Sequence, residues 1–259
     1  MTGAGAAGRN AVDPKTGGVD VGEKALEILG LVPARGGSKG IPGKNLRQVG
    51  GKSLVARAVE SGLGSRLVGR VLLSTDSEAI AEEGLNAGAE VPFLRPGELA
   101  KDDTPSFAVV AHALEWLEKK EGRLPDLLVL LQPTAPLRRG RHVDEALDLL
   151  ISSGARSVVS VTRVPGHHHP AWQFSIRDGA LFPFLEGTKV PARRQDLEAT
   201  YTRNGAVYAA GAAAWLEGAF AFGPGCVPYV MEPEDSVNVD GPEDLALAEF
   251  FLARQGRMR

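Results

Sequence analysis

Residues 31–45 read LVPARGGSKGIPGKN, a short apolar run that empties into glycines, a hydroxyl and cations. Such a loop is suited to phosphate. Glycines let backbone N–H groups approach an anion closely, and Arg35, Lys39 and Lys44 supply charge. Ser38 and Asn45 add polar donors, and Ala34, Gly36 and Gly37 set the backbone around them. The Walker A spacing G-x-x-x-x-G-K-[ST] is absent, and so is G-x-G-x-x-G. The loop therefore predicts phosphate chemistry of a different design.

Further polar blocks follow in order. Ser74-Thr75-Asp76 ends a second apolar run, and Leu94-Arg95-Pro96 precedes Leu99-Ala100 and Asp102. Residues 131–138 read LQPTAPLR. Arg194-Gln195, the run NGAVY at 204–208, Val239-Asp240 and the run PEDL at 242–245 complete the series. Taken together, these blocks resemble the acylneuraminate cytidylyltransferases, also called CMP-sialate synthetases. The opening motif of that family has the form A-R-x-x-S-K-G-x-P-x-K-N. Ala34, Arg35, Ser38, Lys39, Gly40, Pro42, Lys44 and Asn45 occupy every fixed position. An ordered string of blocks over nearly the whole chain is far more specific than any one of them.

The resemblance implies an enzyme that transfers CMP from CTP to a nonulosonate-type 2-keto sugar acid and releases pyrophosphate. It implies that Arg35 and Lys39 hold the triphosphate, with Ala34, Gly36, Gly37 and Ser38 assisting. Lys44 would face the α-phosphate. Asn45, Arg95 and the strand end at Ser74 and Asp76 would read cytosine and ribose. Gln132, Arg194, Tyr201 and Asn204 would bind the acidic sugar. Such chemistry needs cations and positioning rather than a covalent nucleophile. The implied cofactor is Mg²⁺ or Mn²⁺, on Asp240 and Asn238. The family motif there is Asp-x-Asp, so Asn238 offers a neutral oxygen where a carboxylate is expected. Mg²⁺ usually takes one or two carboxylates plus substrate phosphates, so one can suffice. Members that use sialic acid often carry a lysine shortly after a His-Pro pair, and this chain has Trp172 there. Other acceptors stay open at this point: legionaminate or pseudaminate types, another keto acid, or a phosphonate. So does a CTP-binding protein with weak turnover. Ser74 with Asp76, and Asn238 with Asp240, also suit helix caps.

These residues need a scaffold, and the apolar pattern supplies one. Residues 27–32, 70–74, 127–131 and 157–162 read as strands, with a short one at 91–94. Residues 53–63, 77–86 and 142–151 have helical spacing, and Thr104 with Pro105 opens another helix whose apolar face runs from Phe107 to Leu117. The alternation predicts a doubly wound, mostly parallel α/β sheet. Ligands of such sheets sit beyond the carboxyl ends of the strands, where the loop at 33–45, Ser74–Asp76 and residues 132–138 all emerge.

Residues 165–203 break this rhythm with His167–His169, Trp172, Phe174, Phe182, Phe184 and Arg193-Arg194. They read as an excursion from the sheet. The resemblance implies that it dimerises the protein and leans over the partner's site, giving a homodimer. The adjacent histidines point in different directions and make a poor metal site. Residues 23–259 read as one domain, and residues 1–22, Gly-, Ala- and polar-rich, as a disordered tail without the apolar core of a signal peptide. Net charge of −3 gives no basic field for nucleic acid. No apolar run is long enough to span a membrane. The single cysteine, Cys226, suits a reducing compartment, so a cytoplasmic location is expected.

Overall fold

The computed structural model describes residues 12–13, 18–19, 26–185, 187, 193–218 and 222–257. The expected tail at 1–22 lies outside them, apart from a pairing of Val12–Asp13 with Gly18–Val19. Six strands build the sheet: β1 (Ile28–Pro33), β2 (Arg70–Ser74), β3 (Leu127–Leu130), β4 (Ser157–Arg163), β5 (Tyr201–Gly211) and β6 (Cys226–Val230). Their spatial order is β6-β4-β5-β3-β1-β2. β1 runs parallel to β2 and β3, and β6 runs parallel to β4. β5 enters between β3 and β4 and is antiparallel to both. The expected strand at 91–94 is reduced to isolated bridges, Leu72 with Glu90 and Thr75 with Leu94.

The helices are α1 (Leu54–Leu63), α2 (Glu78–Asn86), α3 (Ser106–Glu121), α4 (Gly140–Ser153), α5 (Ala212–Leu216) and α6 (Pro242–Arg257). Successive strand residues point to opposite faces, and both faces are covered. Ile28 and Val32 of β1 pack with Val129, Val55, Val59 and Leu147 on one side. Leu29 and Leu31 pack with Leu128, Val110, Leu114 and Trp215 on the other. Each buried aliphatic side chain is worth about 1.5–3 kcal/mol relative to exposure, and this double layer supplies most of the stabilisation.

Local signals set the helix starts. Ser53 caps α1, its Oγ accepting the Ala56 N–H at 3.1 Å. Thr104 was expected to cap α3 with Pro105 inside the helix, but Pro105 itself is the cap residue and Thr104 Oγ1 turns to the Glu98 carbonyl at 3.4 Å. Asp144 of α4 anchors the bend before β2: its Oδ1 accepts from Ser65 Oγ at 2.6 Å and from the Arg66 N–H at 2.9 Å.

The excursion contains two short turns around the histidines and a hairpin, Phe174–Arg177 with Ala180–Pro183. Its last residues, 201–203, already belong to β5 and pair with β4. Among the described residues no helix is long and apolar enough to cross a membrane.

Candidate active site

The loops that leave β1 and β3, the segment from Arg95 into α3 and the stretch before α6 surround a cavity of about 540 Å³. Its walls include Arg35, Ser38, Lys39, Lys44, Asn45, Arg95, Gln132, Asn238 and Asp240, brought together from four separate stretches of the chain. Five cations line it (Arg35, Lys39, Lys44, Arg95, Lys101) against two carboxylates, Asp102 and Asp240. That surplus favours a polyanion. No histidine or cysteine is among the described lining residues, so a His-activated or thiol nucleophile is not what the walls offer.

Each wall residue is fixed by a traceable bond. Asn45 is buried, and its Nδ2 donates to the Arg35 carbonyl at 2.9 Å, tying the two ends of the first loop. Arg35 pairs with Asp102, and Lys39 Nζ lies 2.6 Å from Asp102 Oδ2. The Lys39 ammonium, and then the Arg35 guanidinium, hold the Asp102 carboxyl below the usual carboxylate range, with desolvation opposing. Lys44 Nζ donates to the Val239 carbonyl at 3.0 Å and lies 3.3 Å from Asp240 Oδ1. Arg95 is buried. Its Nε donates to Ser74 Oγ at 3.0 Å and its Nη2 to the Ser74 carbonyl. Burial pulls its pKa down to about 10, with Asp76 opposing and Arg35 adding to the effect, so it stays charged at neutral pH.

Other expected site residues stand behind the walls. Ala34 and Ser74 are fully buried. Asp76 Oδ1 accepts the Gly36 N–H at 2.8 Å and pins the first loop to the end of β2. Gly36 and Gly37 are not part of the cavity wall. Asn204 is buried: its Oδ1 accepts from Ser160 Oγ at 2.6 Å and its Nδ2 donates to Ser236 Oγ at 2.9 Å. Tyr201 is half exposed at the start of β5. The Arg194 side chain lies outside what is described, although its backbone forms the turn Arg194–Asp196. His169 of the histidine run is bound on both nitrogens, by the Ala171 N–H at 3.1 Å and the Glu198 carbonyl at 2.9 Å.

The far end of the cavity holds a cluster of oxygens. Gly205 has φ +73°, and a Cβ there would come within 2.8 Å of Gln132 Oε1 and 3.1 Å of Asn238 Oδ1. Glycine relieves both the strain and the crowding. Asn238 Oδ1 is buried without a partner, while its Nδ2 donates to Asp240 Oδ2 at 2.8 Å. A half-turn of the amide exchanges the two atoms and sets the oxygen beside the carboxylate. In that turned orientation an amide oxygen lies beside one carboxylate, a donor set that fits a hard cation that keeps waters and takes phosphate oxygens. No three His, Cys, Asp or Glu side chains among the described residues would hold a metal alone.

A second hollow, of about 290 Å³, shares Ser106 and Gln132 with the first. Phe107, Leu130, Tyr208, Trp215 and Phe222 make its apolar lining, and Arg203 stands 4.9 Å over the Phe222 ring. Burial raises the Tyr208 pKa, with Arg203 opposing, so the phenol stays protonated. Sequence reasoning did not single out Arg203, Tyr208 or Phe222. Tyr208 lay in a recognised block, but nothing local says that β5 carries it to this face.

Comparison with known proteins agrees with this geometry. The family described as cytidylyltransferase matches residues 29–176. The pseudaminic acid cytidylyltransferase of Campylobacter jejuni subsp. jejuni serotype O:23/36 (strain 81-176) is 32% identical over 227 residues, covering 87% of this chain and 96% of its own. The CMP-N,N'-diacetyllegionaminic acid synthase of Legionella pneumophila subsp. pneumophila (strain Philadelphia 1) is 34% identical over 235 residues, covering 88% of this chain and 97% of its own. A CMP:2-keto-3-deoxy-manno-octonic acid synthetase complexed with CTP shares the fold, with a TM-score of 0.64 and 17% identity over 88% of this chain and 99% of that one.

If the cations form an anion cradle, inorganic triphosphate should bind, and Arg35→Ala and Lys39→Ala should each weaken it by about tenfold or more, as loss of a charge-assisted contact does. Calorimetric titration reads this. Melting temperature should change little, since Lys39 is 83% exposed and Arg35 lies on a loop. Unchanged affinity in both variants would show that the cradle lies elsewhere.

Proposed function

The chain belongs to the cytidylyltransferases, and from that premise we propose that it transfers CMP from CTP to a nonulosonate-type 2-keto sugar acid, releasing pyrophosphate. The observation that carries this reading is the pairing of two hollows across Gln132 and Ser106. One is rich in cations and large enough for a nucleoside triphosphate. The other combines an arginine with an aromatic lining, which suits an acid that also has apolar faces. Transfer between them places the acceptor hydroxyl next to the α-phosphorus.

In this mechanism Arg35 and Lys39 exchange Asp102 for the β- and γ-phosphates. Lys44, held at the Val239 carbonyl, neutralises charge that grows on the α-phosphoryl oxygens. Arg95 braces the floor under the nucleoside. Gln132 orients the acceptor at the boundary, and Arg203 takes its carboxylate. The acceptor hydroxyl oxygen bonds to the α-phosphorus as the bond to the α–β bridging oxygen breaks, pyrophosphate leaves, and the hydroxyl proton passes to solvent. Asp240 and Asn238 would hold Mg²⁺, which supplies charge neutralisation at the phosphate oxygens when bound. The relatives' printed acceptors, pseudaminic and N,N'-diacetyllegionaminic acids, are both acids of this class and are the first to test.

We also read the protein as a homodimer in the cytoplasm, where its one thiol stays reduced. The hairpin exposes Phe174, Ile176, Leu181 and Phe182, each at least 41% accessible, with Phe184 beside them. An isolated two-stranded hairpin is marginal in water, and a twofold contact is the commonest cover for such a face.

Pyrophosphate release should require CTP, a 2-keto sugar acid and Mg²⁺. Asp240→Asn should reduce it by on the order of a hundredfold or more, and Asn238→Asp should lower the Mg²⁺ concentration needed for half-maximal rate. No release with any acid of the class, or a parental Mg²⁺ dependence in Asp240→Asn, contradicts the reading or the metal assignment respectively. Light scattering should give a dimer mass for the parent, and Ile176→Asp with Leu181→Asp should give a monomer. A monomeric parent at micromolar concentration overturns the dimer.

A further inference from the structure

A third hollow, of about 180 Å³, lies on the other side of residues 132–138 and shares no wall residue with the cavity that holds Lys39 and Lys44. Arg57, Arg138 and Arg139 line it, with Glu60, Ser61, Pro136 and Gly140. Glu60 is shared with Lys52, whose Nζ sits 2.7 Å from each of its oxygens, and with Glu249 it offsets only part of the charge of the three arginines.

Arg138 is the unusual member. It is 4% exposed, and no described carboxylate pairs with it. Its Nη1 donates to the carbonyls of Gln132 at 3.0 Å and Ala206 at 2.8 Å, and its Nε donates to Ser61 Oγ at 2.8 Å. Its Nη2 is buried and has no partner. Nε and Nη2 form one edge of the planar guanidinium, the edge that binds an oxyanion through two parallel N–H bonds. Ser61, the partner of Nε, and Arg138 itself are both wall residues of this hollow, and the buried Nη2 lies just beneath its surface. A buried donor left unmade is costly, and an unpaired buried cation more so. Burial alone pulls the Arg138 pKa down to about 9. Gly140 opens α4, a 14-residue helix with no acidic residue in its first turn, so its positive end adds to the field.

We propose that this hollow binds a small tetrahedral oxyanion of the orthophosphate class, held by Arg57, Arg138 and Arg139 at the start of α4. The same guanidinium that would take the anion fixes the carbonyls of Gln132 and Ala206. Gln132 forms part of the boundary between the two reaction hollows, so the oxyanion would stiffen that boundary from behind.

The test is equilibrium dialysis with radiolabelled orthophosphate on the full chain, with CTP at saturation and no acceptor. CTP then occupies the cations of the reaction cavity. One phosphate should remain bound per chain. Arg57→Gln and Arg139→Gln should each weaken it by about tenfold, whereas Arg139→Lys, which keeps the charge, should retain most of the binding. Arg138 is left intact because its bonds to two loop carbonyls support the fold, and melting temperatures without phosphate check that the variants are folded. Displacement of all bound phosphate by CTP would overturn the proposal, as would parental affinity in folded Arg57→Gln and Arg139→Gln. Pyrophosphate run in parallel distinguishes the source: displacement of the label at equal or lower concentration assigns the hollow to the product of the reaction rather than to free phosphate.

Discussion

Val239 is the residue on which the site hangs. Its N–H donates to the Thr134 carbonyl at 2.7 Å, and its carbonyl accepts from Lys44 Nζ at 3.0 Å. Its side chain is fully buried with Ile41, Val49, Leu54 and Leu137. One residue thus joins the loop after β1, the loop after β3 and the segment before α6. Each hydrogen bond is worth only about 1 kcal/mol net, so the burial of the Val239 side chain adds most of what holds the three segments together. The fit is tight: a Cβ on Gly40 would lie 2.5 Å from the Asp240 carbonyl oxygen. Asn238 and Asp240 flank Val239, so its burial helps to set their position, together with the Asp240 N–H bond to Asp244 Oδ2 at 2.8 Å.

Around this lock the electrostatics are arranged so that cations do not scatter when no polyanion is bound. Asp102 holds Arg35 and Lys39 together, and Asp240 holds Lys44. Arg95 and Arg138 are different. They are buried, bound to carbonyls and hydroxyls, and pull strand ends and loops into place from beneath. The site is therefore built in two tiers of basic residues, ones paired with carboxylates above and buried ones bonded to carbonyls and hydroxyls below.

Much of this was legible in the chain because local signals and the fold agree. The apolar runs at β1, β2, β3 and β4 and the helical stripes of α1 and α4 each appear within about two residues of where the pattern places them. The order of the strands was not legible. β5 is antiparallel and enters between β3 and β4, a choice made by long-range pairing and by the excursion that precedes it. That insertion is why Arg203 and Tyr208 reach the second hollow, and why their role could not be read from spacing. The third strand expected at 91–94 shrank to bridges because Pro92 cannot donate to a ladder. The glycine- and cation-rich make-up of the loop at 33–45 was legible, but the turn of the Gly36 N–H to Asp76, a partner forty residues away, was not.

The central claim is that the α-phosphorus of CTP moves to an acid bound across Gln132. The most direct measurement follows two labels in parallel, CTP carrying ³²P at the α or at the γ position, with a nonulosonate-type acid and Mg²⁺. The account predicts that α label appears in a CMP-linked acid and γ label in pyrophosphate. Transfer of γ label to the acid, or α label that remains wholly in free nucleotide, would contradict it.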